Sequence, residues 1–162
     1  MKKLTLLLLI VLFAITFGFS QGKGFAVDVD GVDDIIECPD INELDSVAAF
    51  TIEGWVYLDE WVNFTDIFNK GNQLILILHN VSGKLGVLIG QNSVYAEVTE
   101  AINVGEWTHF AVVYDGNQTD SWDRVKIYTN GILQPLTNSM SVVPELTSDN
   151  DSTIRFSGGH HA

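Results

Sequence analysis

Hydrophobic and polar residues alternate along much of this chain, as in β-strands that bury one face. Between Phe50 and Leu58 the apolar positions follow a period of two, with Gly54 and Trp55 interrupting the alternation. Alternating runs recur at intervals of roughly ten to fifteen residues, and no helical periodicity extends over a useful length after residue 20. Short strands separated by turn residues predict an all-β, antiparallel β-sandwich with no helix longer than about two turns.

Two unbroken apolar runs, 74–78 and 110–114, indicate central strands covered on both faces. Turn residues separate the runs from their neighbours. The segment 80–83 predicts a hairpin, and Asp115-Gly116 predicts a strand end. Asn130-Gly131 is a strong hairpin signal, because both residues tolerate positive φ.

The N-terminus has the composition of a secretory signal peptide. Lys2 and Lys3 precede an apolar run from Leu6 to Ile15, and small residues follow at Gly18 and Ser20. The run is too short to span a bilayer, and the alternative, a buried N-terminal helix, does not explain the two lysines. We therefore expect residues 1–20 to be a signal peptide and residues 21–162 to form one domain of a secreted, extracellular or cell-surface protein.

The chain is strongly acidic, with 8 Lys and Arg against 21 Asp and Glu. Residues 1–20 hold two of the lysines and no acid, so the remainder carries a formal charge of −15. This charge excludes nucleic acid and anionic membranes as expected partners, and we predict no membrane insertion. Such an excess has two ordinary causes, the solubility of a secreted domain, which explains most of these acids, and carboxylates gathered to hold calcium. Cys38 is the single cysteine, so no intrachain disulfide forms.

Four segments at strand-like spacing carry a family resemblance. They are 24–37 (GFAVDVDGVDDIIE), 50–56 (FTIEGWV), 105–116 (GEWTHFAVVYDG) and 125–133 (VKIYTNGIL). Together they resemble the laminin G-like, concanavalin A-like jelly-roll family over about residues 25–159. The resemblance implies a concanavalin A-like jelly roll, a fold that carries lectins, enzymes, hormone-binding domains and adhesion domains.

The resemblance also implies a closing strand that this sequence lacks. After the strand-like segment 153–159, members of the family continue with one more strand, which returns beside the first. We therefore expect the domain to be incomplete at its C-terminal end, with other domains of a longer parent chain as a possibility. Without that strand, the segment from Phe25 to Asp30 is expected to lie at an exposed edge.

We predict that the protein is not an enzyme. Glucanases of this fold place three alternate carboxylates on one inner strand. Here Glu43 and Asp45 form the one Glu-x-Asp pair, in a segment that is typical of a loop, and the third carboxylate is missing. No Gly-x-Ser-x-Gly, His-Glu-x-x-His or phosphate-binding glycine motif is present.

The acidic run near the N-terminus suggests a calcium site. Carboxylate and backbone oxygens can converge at a turn of this kind, and the resemblance implies calcium near it, together with an acid of the absent closing strand. Two interpretations stay open, a calcium site and a turn stabilised by hydrogen-bonding acids. The candidate calcium ligands are Asp30, Gly31, Asp33 and Asp34.

The four tryptophans fall into two groups. Trp55 and Trp107 lie inside strand motifs and are predicted to be core residues, with His109 as a structural histidine beside Trp107. The other two lie in acidic loops, where an aromatic ring can stack on a sugar while carboxylates accept hydroxyl protons. A loop anchor is the alternative role for each of them. The candidate carbohydrate-binding residues are Trp61, Asp120, Trp122 and Asp123.

Three functional classes follow from these features. The first is a non-catalytic recognition module that binds a glycan or a cell-surface protein, in carbohydrate binding or cell adhesion. The second is a structural or adhesive spacer domain of a larger extracellular protein, favoured if the loop aromatics are buried. The third and least favoured is a glycoside hydrolase, which needs a carboxylate pair that the sequence does not supply.

Overall fold

The computed structural model describes residues 25–30, 33–60, 65–71, 74–79, 84–90, 95–137 and 142–157. Within these residues the regular structure is β-strand, apart from two short 3-10 helices, Asn42–Leu44 and Ser121–Arg124. None of the described helices has the length and apolar character that crossing a membrane requires. The strands are β1 (Ile35–Cys38), β2 (Ala49–Tyr57), β3 (Thr65–Lys70), β4 (Leu74–His79), β5 (Lys84–Ile89), β6 (Tyr95–Ala101), β7 (Trp107–Asp115), β8 (Val125–Thr129), β9 (Ile132–Leu133), β10 (Leu136–Thr137) and β11 (Ile154–Ser157).

The described strands form two antiparallel sheets. One has seven strands in the order β1-β11-β3-β4-β5-β6-β10, and the other has four in the order β2-β7-β8-β9. Buried apolar side chains from both sheets form one core cluster. The predicted all-β sandwich is confirmed, and the crossovers in strand order are those of a jelly roll.

The alternation of β2 and β7 determines which side chains enter this core. On β7, Phe110, Val112 and Tyr114 are buried, whereas Ala111 and Val113 between them are only half-buried. The prediction that 110–114 is covered on both faces is therefore wrong, because the outer face of the four-stranded sheet carries no described layer above it. The outward residues Ala111 and Val113 are apolar, so the sequence of this strand resembles that of a strand covered on both faces.

The Asn130-Gly131 hairpin is confirmed. Asn130 and Gly131 have φ of 50° and 77°, and they join β8 to β9 in antiparallel pairing. The strand that follows, β9, spans two residues, because the chain leaves the sheet at Pro135, which has no N–H to donate. It then pairs with β6 of the opposite sheet as β10.

A buried lysine ties three loops together. Lys70 is 2% exposed, and its Nζ lies 2.7 Å from an oxygen of Asp40 and 2.8 Å from one of Asp45. Burial alone would lower the pKa of Lys70, but the hydrogen bonds to the two carboxylates outweigh it and raise the pKa above the usual 10.5. Asn150 also accepts a hydrogen bond from Nζ, which fixes the segment 142–153 beside β3.

A second polar anchor holds the same segment against the four-stranded sheet. The buried guanidinium of Arg124 donates from Nη1 to the carbonyl of Val143 at 2.6 Å and from Nε to that of Gln118 at 2.9 Å. The Tyr114 hydroxyl donates to the carbonyl of Pro144 at 2.8 Å. Burial raises the pKa of Tyr114 to about 12.

The ends of the chain leave several predictions open. Residues 1–24 lie outside the described residues, so the signal peptide stays a prediction, as does the absence of a closing strand. Residues 25–30 belong to no described strand, and Phe25 and Val27 are exposed. Cys38 ends β1 and is half-buried.

Candidate functional site

The outer face of β2 and β7 carries a group of exposed aromatic rings. Trp55 is 63% exposed, Trp107 is 52% exposed and Tyr57 is 43% exposed, and the half-buried His109 lies among them. Trp55 and Trp107 are therefore not core residues, and the prediction that placed them there is wrong. We call Trp55, Tyr57, Trp107 and His109 the aromatic face.

Strand parity explains why these rings point outward. The burial of β2 alternates without a break, so Ile52, Gly54 and Val56 share the inner side and Trp55 lies on the outer side. The alternation is not visible in the sequence at Gly54, because glycine has no side chain to mark an inward position. If every second residue from Ile52 through Gly54 to Val56 is taken to point inward, Trp55 is correctly placed on the outer side.

The register between the two strands brings the four rings together. Trp55 lies opposite His109, and their ring centroids are 5.2 Å apart in an edge-to-face arrangement. Tyr57 lies opposite Trp107, with ring centroids 5.5 Å apart. Both distances are within the range of favourable aromatic pairs, so each ring holds its neighbour in place. The result is a mainly aromatic surface that is exposed to solvent.

Polar groups border the aromatic face on two sides. An oxygen of Glu53 lies 4.0 Å from Nε2 of His109, and the carboxylate is largely exposed. On the other side of β7, the backbone N–H of His109 donates to Oδ1 of Asn130 at 3.0 Å, and the N–H of Asn130 donates to the carbonyl of His109 at 2.7 Å. The hairpin thus fixes the backbone of His109, and Glu53 offers acceptor oxygens beside the rings.

The apolar surface continues beyond the four rings. In the next row of the sheet Ala111 lies between Glu53 on β2 and Tyr128 on β8, and Leu133 on β9 lies opposite Tyr128. Ala111 has the smallest side chain in this row, so the surface of the sheet is lowest there, next to Trp55 and His109. One further row along, the exposed Lys126 lies opposite Val113.

The predicted loop site is only partly within the described residues. Trp122 lies in the second 3-10 helix and is 47% exposed, so it is not a core residue, as predicted. Asp120 caps this helix, because its Oδ1 accepts the backbone N–H of Trp122 at 2.9 Å, and Asp123 is exposed. Trp61 lies outside the described residues, so its part in this site stays a prediction.

Three of the four candidate calcium ligands converge. Asp30, Asp33 and Asp34 are exposed, and one carboxylate oxygen of each lies within 4.8 Å of the others. Asp34 accepts the N–H of Asp30 at 3.0 Å, and Asp30 accepts that of Asp33 at 3.4 Å. These bonds stabilise the turn without an ion, so both interpretations of this cluster stay open. Gly31 lies outside the described residues.

The single Glu-x-Asp pair of the sequence is not arranged for hydrolysis. Glu43 is exposed on the first 3-10 helix and not on an inner strand. Asp45 just after it is half-buried and holds Lys70, so its carboxylate has a structural partner. This arrangement does not resemble two opposed carboxylates in a cleft.

The sequence matches the family model of the concanavalin A-like lectin/glucanases superfamily over residues 30–161. No curated protein matches it. Among solved structures, it is similar to a candidate carbohydrate binding protein from Bacteroides ovatus ATCC 8483, with 18% identity and a TM-score of 0.50 over 75% of this chain and 34% of that one. It is also similar to a native heptameric SAP-like pentraxin from Limulus polyphemus, with 21% identity and a TM-score of 0.48 over 81% of this chain and 65% of that one. The chain thus spans about a third of the first structure and less than two thirds of the second.

Proposed function

This chain belongs to the concanavalin A-like lectin/glucanase superfamily, and from that premise we propose that it is a non-catalytic module that binds a neutral glycan through the aromatic face. The observation that carries the proposal is the outward orientation of Trp55 and Trp107, with 63% and 52% of their surface exposed. Large exposed aromatic surfaces on a folded domain mark binding sites, because leaving them in water is unfavourable.

Sugar binding suits the chemistry of this face better than most ligand classes. The C–H bonds of a pyranose ring stack on an aromatic ring, and Glu53 beside the rings accepts hydroxyl protons. The formal charge of −13 for the whole chain disfavours polyanions, including nucleic acids and sulfated glycans. Lys126 is a positive side chain on the outer face of the four-stranded sheet, and one row of residues separates it from the aromatic face.

Two features support binding without turnover. Glu53 borders the rings on the exposed outer face of the sheet, whereas hydrolysis requires two carboxylates opposed across a cleft. The Glu43 and Asp45 pair lies on a loop and a 3-10 helix, with Asp45 engaged by Lys70. The loop residue Trp122, with Asp120 and Asp123, is a second candidate contact, and a cell-surface protein is the alternative partner.

A calcium ion is a further proposal for this chain. Asp30, Asp33 and Asp34 supply hard oxygen ligands at mutual distances that one ion can bridge, and exposed positions leave room for water or a ligand to complete the six to eight oxygens that calcium takes. Such an ion would tie the N-terminal turn to the start of β1. We likewise propose secretion, on the signal-like sequence of residues 1–20.

The experiment is electrophoresis through gels that contain soluble neutral polysaccharides, with gels containing alginate or heparin as charged controls. We expect retardation of the wild-type protein in at least one neutral gel, and loss of retardation in the Trp55→Ala and Trp107→Ala variants. Trp122→Ala distinguishes the two candidate surfaces, because it removes a tryptophan of similar exposure from the loop, and Leu146→Ala, which truncates an exposed apolar side chain elsewhere, is the control. Loss of retardation in the Trp122→Ala variant alone would place the binding site in the loop around Trp122. Release of sugar during incubation would show an enzyme.

A further inference from the structure

One edge of the four-stranded sheet has no strand beside it among the residues that the structure describes. β2 is the outermost strand at that edge, and it pairs with β7 along its whole length. It is nine residues long, its pairing contains no bulge, and it has neither proline nor lysine. Exposed edge strands are normally short or bulged, or carry lysine or proline, because an unprotected edge pairs with other chains. β2 has none of these protections.

The hydrogen bonds on both sides of β7 show which residues of β2 face that edge. The N–H of Gly116 donates to the carbonyl of Ala48 at 2.6 Å, and on the β8 side the N–H of Asn130 donates to the carbonyl of His109 at 2.7 Å. Bonded and non-bonded pairs alternate in an antiparallel ladder, so both contacts put the even-numbered residues of β2 in the bonded pairs with β7. The backbone N–H and C=O groups of the odd-numbered residues therefore point the other way. We call these residues the open edge: Ala49, Thr51, Glu53, Trp55 and Tyr57.

The inner side of β2 is less completely covered than the inner side of β7. The inward residues of β7 between Phe110 and Tyr114 are buried, whereas Phe50, Ile52 and Val56 of β2 are only partly buried, although they pack against the same core cluster. The cause is the sheet order, since β7 has a strand on each side and β2 has a described strand on one side only. A neighbouring strand with apolar inward side chains would cover the exposed part of these three residues.

The outer side of the open edge favours positive charge. Glu53 lies at the centre of β2 with a largely exposed carboxylate, and Trp55 is the next outward side chain. From residue 43 to residue 60 the chain has five acids and no lysine or arginine. Outward side chains that lie opposite each other on adjacent strands are in contact, and an aromatic ring attracts a cation. Arginine or lysine on a neighbouring strand would thus pair with Glu53 and stack on Trp55.

A second copy of this chain matches the open edge less well than a basic partner. Edge-to-edge pairing of two β2 strands would bring together two chains that each carry a formal charge of −13. Each strand would bring its own Glu53 and no lysine or arginine to offset it. Like charges on adjacent strands are destabilising, and a large net charge opposes self-association.

We propose that the open edge binds an extended, basic segment of another polypeptide, which pairs antiparallel with β2 as one further strand of this sheet. The residues of that segment alternate. Arginine or lysine points outward opposite Glu53 and Trp55, and apolar side chains point inward beside Ile52 and Val56. Backbone hydrogen bonds to the open edge supply affinity, and the alternating side chains supply selectivity. This protein-binding edge goes beyond the proposed glycan site, because its main contacts are backbone groups of β2.

The test is a fluorescence anisotropy titration of a labelled peptide, Thr-Val-Arg-Val-Arg-Val-Thr, with both ends blocked. We expect saturable binding that weakens at least tenfold when glutamate replaces both arginines, and that weakens as salt is added. N-methylation of the two arginines removes N–H groups that face β2, and is expected to abolish binding. N-methylation of the central valine is the matched control, because its N–H faces away from β2, and is expected to change Kd less than threefold.

Variants of the protein test the same contacts from the other side. Thr51→Pro removes an N–H of the open edge and no bond to β7, so it is expected to weaken peptide binding at least tenfold. Thr51→Val keeps that N–H and is expected to change Kd less than threefold. Glu53→Gln is expected to weaken binding at least threefold, whereas Asp149→Asn, at an exposed acid elsewhere, leaves it unchanged. Melting curves show whether each variant is folded, and the methylated peptides test the same bonds if Thr51→Pro is not.

Hydrogen exchange of the backbone N–H groups locates the bound peptide on the strand. In the protein alone, the N–H groups of Thr51, Glu53 and Trp55 are expected to exchange rapidly, and those of Ile52 and Val56 slowly. Saturating peptide is expected to slow the first group at least tenfold and to leave the second group unchanged. Slowing of neither group by a bound peptide would place the peptide elsewhere and overturn the inference.

Three other outcomes would also contradict the inference. The first is equal binding of the arginine and glutamate peptides, and the second is binding that survives N-methylation of the arginines. The third is slow exchange at the open edge before peptide is added. If that protection rises with protein concentration, a second copy covers the edge, and if it does not, the chain's own residues do. The glycan proposal is separate, because Thr51→Pro retains Trp55 and Trp107 and is expected to keep its retardation in the polysaccharide gels.

Discussion

The ring of Phe110 occupies the space that a side chain at position 54 would need. A Cβ built on Gly54 would lie 3.1 Å from Cζ of Phe110, closer than ordinary van der Waals contact. Gly54 and Phe110 are paired in register on β2 and β7, so the ring of one strand fills the gap left by the other. This contact keeps the inner side of β2 closely packed at the residue that precedes Trp55.

Gly54→Val is therefore expected to destabilise the domain by about 1–3 kcal/mol, because the larger side chain overpacks the core. Urea unfolding measures the loss. Phe110→Leu in the same chain provides the space that valine needs, so the double variant is expected to be more stable than the sum of the two single losses predicts. Additive losses would mean that the two positions are not in contact.

Trp107→Ala and Phe110→Ala separate the two faces of β7. Phe110 is 5% exposed, so its removal is expected to cost about 3–5 kcal/mol, whereas Trp107→Ala and Trp55→Ala are each expected to cost about 1 kcal/mol or less. Denaturation midpoints of the purified variants give the comparison. Losses of equal size for Trp107→Ala and Phe110→Ala would mean that Trp107 is a core residue.

Part of this fold follows from local sequence, and part depends on residues far apart in the chain. Asn130-Gly131 predicts its hairpin because the two residues that form the turn also supply its conformation. The inward position of Gly54 could not be recognised, because the ring that fills the space beside it belongs to Phe110. Sequence alone does not show that the strand of Phe110 lies opposite Gly54. Without that pairing, a tryptophan in an apolar strand is assigned to the core by composition, and parity is overlooked.

The same limit applies to the polar groups. Lys70, Asp40 and Asp45 are separated in sequence, and none of them lies in a recognisable motif, so the buried ion pairs are visible only after folding. For the site, the acids of the N-terminal turn could be found because they are neighbours in the chain. The aromatic face could not be assembled without the register of β2 and β7.

The domain is expected to lose stability in alkali. The pKa of Tyr114 is about 12 in the folded protein because the hydroxyl is buried, and about 10 when the chain is unfolded. The folded state therefore holds this proton more tightly, and the stabilisation is complete below pH 10 and declines as the pH rises through 12. The raised pKa of Lys70 acts in the same direction above pH 10.5. Two pKa units correspond to at most about 2.7 kcal/mol for Tyr114.

Tyr114→Phe isolates the tyrosine contribution. At pH 8 the variant is expected to lose about 1 kcal/mol, because the hydrogen bond to the carbonyl of Pro144 is gone. Its decline between pH 8 and pH 12 is expected to be smaller than that of the wild-type protein. Parallel stability curves from urea unfolding across this range would contradict a protonated, buried Tyr114.

Calcium is expected to raise the melting temperature of the protein over that of a chelator-treated sample. An ion present at a hundred times its dissociation constant adds about 2.7 kcal/mol if it binds only the folded state. The double variant Asp33→Asn, Asp34→Asn is expected to lose this response, and Asp149→Asn, an exposed acid elsewhere, is expected to keep it. An unchanged wild-type melting curve in millimolar calcium would leave these acids as turn formers.

The most direct test of the glycan-binding aromatic face is a nuclear magnetic resonance titration of the tryptophan indole N–H signals, assigned by single substitutions. The ligand is a neutral hexasaccharide, a fragment of the polysaccharide that retards the wild-type protein most strongly. The signals of Trp55 and Trp107 are expected to shift along one common binding curve while that of Trp122 stays in place. A shift of Trp122 with Trp55 and Trp107 unchanged, or no shift of any signal at saturating hexasaccharide, would contradict the account.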